Sequence, residues 1–354
     1  MWPVDLRVPI VGAPMAGGPG TPALAAAVSA AGGLGFVAAG YLSAQRLAED
    51  IAAARALGSG PLGVNLFVPQ PSLADPQRIE AYRERLRPVA ARWGAEVGAP
   101  RFDDDAWAEK LQVVADMRPE VVSFTFGCAE PATVASLRGL GVATVATVTS
   151  VEEAQTALAA GVDALIVQGP GAGGHRGTFD PGRRPPTGSL ESLLGEVLKA
   201  LEVCPVPVIA AGGVAGGADV ARLLSLGAVA VQVGTALLLA EEAGTNPVHR
   251  RALQSGVFAG SGAEAGPGTR PETVVTRAFS GRYARGLRNE FTDAFDALAP
   301  PGYPEVHYVT SPIRKAAVAA GDPHGTNLWA GTGFRRTRAS SAAAIVADLA
   351  GVNR

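Results

Sequence analysis

The sequence predicts an α/β fold, a TIM (β/α)8 barrel that carries a mainly helical C-terminal cap. Three observations lead there. Short apolar runs without alternation, such as Ala164 to Val167, suit strands of a parallel sheet covered on both faces. Eight such runs between Val8 and Val233 alternate with alanine-rich helical patterns. An open doubly wound sheet would show the same alternation, so periodicity alone leaves the choice open. Glycine turns favour the barrel: Gly212 and Gly213 follow the seventh strand, and Gly234 with Thr235 follows the eighth. These are the positions where barrels hold phosphate on the amides of a helix N-terminus.

In chain order, Val8 to Ala13 reads as the first strand, and Thr21 followed by Pro22 caps the helix that runs to Ala31. Gly32 and Gly33 end that helix, and Leu34 to Ala38 is the second strand. Ser43 caps a helix to Leu57, and Leu62 to Phe67 is the third strand. Residues 75–117 form a polar, mainly helical insertion whose arginines read as a solvated face. Val121 to Phe126 and Val142 to Val148 are strands four and five, with a helix from Pro131 to Leu140 between them. Ser150 caps the helix before strand six, its first-turn acids Glu152 and Glu153 suiting the helix dipole. A helix from Ser189 to Leu201 leads to strand seven, Val206 to Ala211, and Val229 to Val233 is strand eight. The barrel is therefore expected over residues 1–244 and a helical cap over residues 245–354. Within the cap, helices are expected at Pro271 to Phe279, Asn289 to Leu298, Ser311 to Ala320 and Ala339 to Ala350, with a hinge loop from Ala299 to Pro304. Glu241 and Glu242 read as a solvated helix face.

Composition narrows the function. The formal charge of -2 comes from 30 basic and 32 acidic residues spread without a basic run, which argues against a nucleic-acid partner. No apolar run reaches a membrane span, no secretory leader is evident, and a cytoplasmic location is expected. Cys128 and Cys204 fit neither a disulfide framework nor a metal site, and no metal is expected. None of the lysines, Lys110, Lys199 and Lys315, sits at a strand's C-terminal end, which disfavours a Schiff-base aldolase. A Gly-x-Gly-x-x-Gly turn is missing after the first strand, against a Rossmann NAD domain.

The chemistry is expected in Gln168 to Gly177 (QGPGAGGHRG), where glycines let the backbone approach a ligand and His175 can move a proton near neutrality. With this loop, PIVGAPMAG (Pro9 to Gly17), GVNLFVP (Gly63 to Pro69), VSFTFG (Val122 to Gly127), AAGGV (Ala210 to Val214), QVGTA (Gln232 to Ala236) and RAFSGRYARGLRNEF (Arg277 to Phe291), the chain resembles the nitronate monooxygenases, formerly called 2-nitropropane dioxygenases. That resemblance covers nearly the whole chain and implies an FMN-dependent TIM-barrel enzyme. It implies His175 as the acid or base beside the flavin, and Asn65, Gln168, Gly173 and Gly174 as FMN contacts. Ala13, Pro14 and Met15 would underlie the flavin ring, while Gly212, Gly213, Gln232, Val233, Gly234 and Thr235 would hold its phosphate end. Gly171 departs from the family loop, which usually has a glutamate there.

The activity so implied is oxidative denitrification of an alkyl nitronate or nitroalkane by O2, giving a carbonyl compound and nitrite, with the redox chemistry supplied by FMN. Two alternatives share the scaffold: an NAD(P)H-dependent FMN reductase of the type II enoyl-acyl-carrier-protein class, and a non-redox barrel that binds FMN or a phosphometabolite. Ser280 and Asn289 could cap the site, with ordinary helix capping as the competing role, and Tyr283, Tyr303 and Trp329 could roof it, with packing of the cap as the competing role. His249, His307 and His324 lack metal spacing and read as structural or surface residues. The oligomeric state is not legible.

Overall fold

The computed structural model describes residues 4–202, 204–255 and 272–351. Its elements in chain order are β1 (Ile10–Gly12), α1 (Pro22–Ala30), β2 (Gly35–Ala38), α2 (Ala44–Leu57), β3 (Leu62–Phe67), α3 (Pro76–Ala91), α4 (Trp107–Met117), β4 (Val121–Thr125), α5 (Pro131–Gly139), β5 (Ala143–Val148), α6 (Val151–Ala160), β6 (Ala164–Gln168), β7 (Gly174–His175), α7 (Leu190–Ala200), β8 (Val208–Ala211), α8 (Gly217–Ser225) and β9 (Ala230–Val233). They continue with α9 (Pro247–Gln254), β10 (Thr273–Thr276), β11 (Ala284–Leu287), α10 (Glu290–Phe295), α11 (Glu305–Ala319) and α12 (Ala342–Ala350). The expected caps are in place: the hydroxyls of Thr21, Ser43 and Ser150 accept from Leu24 N, Arg46 N and Glu153 N.

Eight strands form one parallel sheet in the order β1-β9-β8-β6-β5-β4-β3-β2. The two ends meet at a parallel bridge between Val11 and Leu34, where Gly12 N donates to Leu34 O (2.9 Å) and Leu34 N to Ile10 O (3.0 Å). The barrel is thereby closed. Side chains of period two sort to two faces. Val11, Phe36, Val121, Val145, Ile166, Ile209 and Ala230 form one buried cluster in the barrel interior, whereas Val122, Phe124, Ala146, Leu165, Val167, Val208 and Val231 join the helices in another. Two residues further along the inward face the character changes. The next positions are Ser123, Thr147, Gln168 and Gln232, with Asn65 in register with Ser123, so the interior turns polar towards its C-terminal mouth.

The C-terminal segment differs from the expected pattern in several places. Thr273 to Thr276 is a strand where a helix was expected to start at Pro271, which lies outside the described residues. Its β-branched run TVVT pairs antiparallel with β11, and β11 pairs in turn with β7. His175 therefore sits in a three-stranded sheet built from two distant segments. Helix α11 begins at Glu305, ahead of the expected Ser311, and accommodates Pro312. Helix α12 packs on α1 and α8, burying Ile345, Val346 and Leu349 in the ring of barrel helices rather than in the cap. Of the two helices in residues 75–117, α4 packs on α2 and β3 as a barrel helix does. Helix α3 buries Ile79, Tyr82 and Leu86 against Phe279, Phe291, Val306 and Ile313 of the C-terminal segment. Its arginines are the outer half of an amphipathic helix. Glu242 is more than a solvated acid, since its carboxylate accepts from Ala342 N (2.8 Å) at the start of α12.

Candidate active site

A cavity of about 680 Å³ opens between the mouth of the barrel and the C-terminal segment. All the expected ligand-binding residues meet on its wall: Ala13, Pro14, Met15, Asn65, Gln168, Gly173, Gly174, His175, Gly212, Gly213, Gln232, Val233, Gly234 and Thr235. The polar mouth layer supplies Asn65 and Gln168. The buried Asn65 donates to Ser123 Oγ (2.9 Å) and Thr125 Oγ1 (2.9 Å), which fixes its amide orientation. Gln168 is a clip: its amide donates to His175 O (3.1 Å) and accepts from Gly177 N (2.9 Å), tying the glycine loop to the strand that precedes it. The Gln232 Oε1 atom is buried without a partner, an acceptor that a ligand donor would satisfy.

The turn after β8 is built for close approach. Gly212 and Gly213 have φ of +108° and +77°, values that side chains with a Cβ rarely adopt. Gly173 is packed against the backbone of the C-terminal segment, where a Cβ would lie 2.5 Å from Gly331 N and 2.6 Å from the Ala330 carbonyl carbon. A Cβ on Gly171 would meet Thr332 Oγ1 at 2.8 Å and Gly213 Cα at 3.0 Å, and Gly171 O accepts from Thr332 N (3.0 Å). The space for a glutamate at position 171 is thus taken by the segment around Thr332. Thr235 Oγ1 accepts from Gly331 N (2.9 Å), so the same segment buttresses both glycine turns.

His175 lies at the cavity wall with its Nε2 2.8 Å from Ser280 Oγ. Its ring meets Phe126 (5.8 Å), Tyr303 (5.5 Å) and Trp329 (5.6 Å). Burial, reinforced by the like charges of Arg282 and Arg314, pushes its pKa down to about 3. The imidazole is neutral at pH 7. Ser280, Tyr303 and Trp329 thus stand against the histidine, whereas Tyr283 instead packs under the Arg277 guanidinium (4.8 Å). Asn289 caps α10 and donates to Pro323 O (2.9 Å) and Thr326 O (2.8 Å), a structural role.

Two histidines read as structural or surface residues in the sequence also line the cavity. His307 stacks on Tyr41 (4.5 Å, 9°) and bonds Arg314, with its pKa pushed to about 2 by burial and then by Arg314. The buried His249 leaves Nε2 without a partner, and burial pushes its pKa to about 4. Arg101, Arg314 and Lys315 also face the cavity, and no carboxylate does among the described lining residues. His307, Ser311, Arg314 and Lys315 recur at the i, i+4, i+7, i+8 spacing of one helical face, a signal present in the sequence. Among the described residues no group of three or more His, Cys, Asp or Glu gathers to hold a metal, and no helix is long and apolar enough to cross a membrane.

Fold and cavity together define a TIM-barrel enzyme whose site sits at the C-terminal mouth, with a neutral histidine and no carboxylate among the described residues of its wall. Comparison with known proteins gives its family. The nitronate monooxygenase family model matches residues 1–351, and the chain belongs to that family. It is 38% identical to the nitronate monooxygenase of Pseudomonas aeruginosa over 98% of this chain and 96% of that one. A probable nitronate monooxygenase of Staphylococcus saprophyticus is 33% identical, over 98% and 94% of the two chains. Among solved structures, a nitroalkane oxidase from Streptomyces ansochromogenes superposes with a TM-score of 0.90 at 43% identity, covering 98% and 96% of the chains. FabK from Thermotoga maritima superposes less well, with a TM-score of 0.71 at 26% identity over 98% and 93%.

Proposed function

We propose that this oxidoreductase binds FMN at the mouth of a barrel formed by residues 1–244 and oxidises alkyl nitronates with O2 to a carbonyl compound and nitrite. One observation carries the reading: a neutral His175 bonded to Ser280 faces a cavity whose charged side chains are cationic. The residues fit the cofactor. The glycine turn at Gly212 and Gly213, with Gly234 and Thr235, presents backbone at the phosphate end, and Gln232 Oε1, a buried acceptor without a partner, would take a hydroxyl or N–H of the cofactor and not its phosphate. Ala13, Pro14 and Met15 would support the ring, and Asn65, Gln168, Gly173 and Gly174 would line its edge. FMN, when bound, supplies the electron acceptor and the route to oxygen.

The chain's own part is binding and charge. Arg101, Arg314 and Lys315 favour an anion, and the rings of Tyr303, Trp329 and Phe126 pack around the His175 imidazole. An imidazole whose conjugate acid titrates at about 3 is a weak base, so the site favours a nitronate that arrives already ionised over a neutral nitroalkane. One hydrogen of the His175–Ser280 pair makes the bond between them, and the other is left to donate to a nitro oxygen. The test is the visible spectrum of the purified protein, followed by nitrite release and O2 uptake with a preformed nitronate such as that of 2-nitropropane. A flavin spectrum with stoichiometric nitrite is expected. Rapid anaerobic bleaching by NADPH without nitrite release would instead establish the reductase, and a colourless protein that takes up no FMN the non-redox barrel.

A further inference from the structure

The loop that carries His175 is held by two buried guanidinium groups with no carboxylate within ion-pair distance among the described residues. Arg176, 1% exposed, donates to Gln168 O (3.0 Å) and to Gly169 O. Arg282, 2% exposed, donates from Nε to Arg176 O (3.4 Å), from Nη2 to Thr178 O and from Nη1 to Gln70 Oε1 (2.7 Å). Its guanidinium carbon lies 3.9 Å from the centre of the Phe126 ring, whose edge-on partner is the His175 imidazole. The carboxylate nearest in kind, Glu153, is occupied by Phe179 N (2.8 Å), Thr149 N (2.6 Å) and Thr149 Oγ1 (2.8 Å).

We propose that Arg282 is a positioning residue for His175: it grips the carbonyls of Arg176 and Thr178 just past the imidazole and braces Phe126 against it. Packing alone does not explain an arginine here. A buried cation without a counter-ion is costly, and an apolar residue of similar volume would fill the space at lower cost. What the guanidinium adds is a five-donor fork aimed at carbonyls and a permanent positive charge beside a titratable ring. Burial lowers the Arg282 pKa to about 10, so it remains charged at neutral pH. The other groups facing His175 reinforce this: Ser280, Tyr303 and Trp329 are uncharged, Arg176 adjoins it in the chain, and His307 and Arg314 approach from α11. The inference rests on His175 as the working group of the proposed site, but its charge state can be read without turnover.

The experiment follows the four histidine rings by NMR in isotopically labelled protein, with His175 assigned from His175→Gln, in the wild type and in Arg282→Met and Arg282→Lys. The wild-type His175 is expected to stay neutral down to the acid limit of the folded protein. In Arg282→Met it should titrate at least about one pH unit higher, because a like charge has been removed. Arg282→Lys should keep the low titration yet lose the single ring tautomer that a fixed loop enforces, with kcat for a nitronate falling at least about tenfold and KM changing less. Folded Arg282→Met with an unshifted His175 overturns the charge effect, and Arg282→Lys with the wild-type tautomer and kcat overturns the positioning role. If Arg282→Met does not fold, the lysine variant decides. Failure of the nitronate reading shows separately, as a wild type that releases no nitrite while its histidine titrations still report on Arg282.

Discussion

Acidification should unfold this protein through its cavity histidines. His175, His249 and His307 have folded-state pKa values of about 3, 4 and 2, each lowered chiefly by burial from an ordinary 6.5. Because the folded values are depressed, the unfolded chain binds more protons between pH 6.5 and these values, and stability rises with pH there. It is complete above pH 6.5 and drains away as the pH falls from there to the folded values, about 4 for His249, 3 for His175 and 2 for His307. Between pH 7 and pH 5 each ring contributes at most about 2 kcal/mol, or about 6 kcal/mol for three. His175 and His307 are only partly buried and border a cavity that water enters, so about half of that, roughly 3 kcal/mol, is expected. The assay is thermal and guanidinium unfolding at pH 7, 6 and 5, where the melting temperature should fall by roughly 3–5 °C for a chain of 354 residues. His249→Gln, at the most buried of the three, removes about 2 of these 3 kcal/mol and should flatten the profile by about two-thirds. A melting temperature that moves less than about 2 °C between pH 7 and 5, or a His249→Gln profile parallel to the wild type, refutes the reasoning.

Other substitutions separate binding from architecture. His175→Ala removes a hydrogen bond to a charged ligand, worth about 1.5–3 kcal/mol, and kcat/KM for a preformed nitronate should drop roughly 10- to 150-fold; a loss under about threefold would take the ring away from the substrate. Ser280→Ala leaves His175 Nε2 without its 2.8 Å partner and should cost roughly 2- to 10-fold in the same assay with little change in melting temperature. Gly173→Ala forces a methyl group against the backbone of Ala330 and Gly331, for about 1–3 kcal/mol of destabilisation, measured by unfolding together with weaker FMN retention.

The barrel was legible because its strands are continuous apolar runs and its helices carry their caps in the sequence. Thr21, Ser43 and Ser150 mark helix starts by local chemistry alone. Most of the cavity-lining residues came from the family resemblance and not from local pattern; in the structure they stand at strand ends, where inward positions turn from valine and isoleucine to asparagine, glutamine and threonine. What escaped was non-local. The two residues of β7 acquire their strand character from β11, a hundred residues later, and nothing in Gly174 and His175 announces it. The TVVT run of β10 is followed by apolar residues at helical spacing, and only its pairing with β11 makes it a strand. His249 and His307 gain their roles from packing that brings α9 and α11 over the cavity, which metal-style spacing cannot reveal.

The pairing of β7 with β11 also bears on how the enzyme is made. Chain emerging from the ribosome through Thr235 already contains all eight barrel strands, both glycine turns and His175. Yet it lacks Ser280, the clamp of Arg282 and the brace of Trp329 and Gly331. Competence to work on a ligand therefore arrives with the last quarter of translation, and α12 must still be added to fill its place between α1 and α8. A barrel of this design cannot exchange its C-terminal segment for another as a detachable module, since the histidine's surroundings are written on both sides of the join.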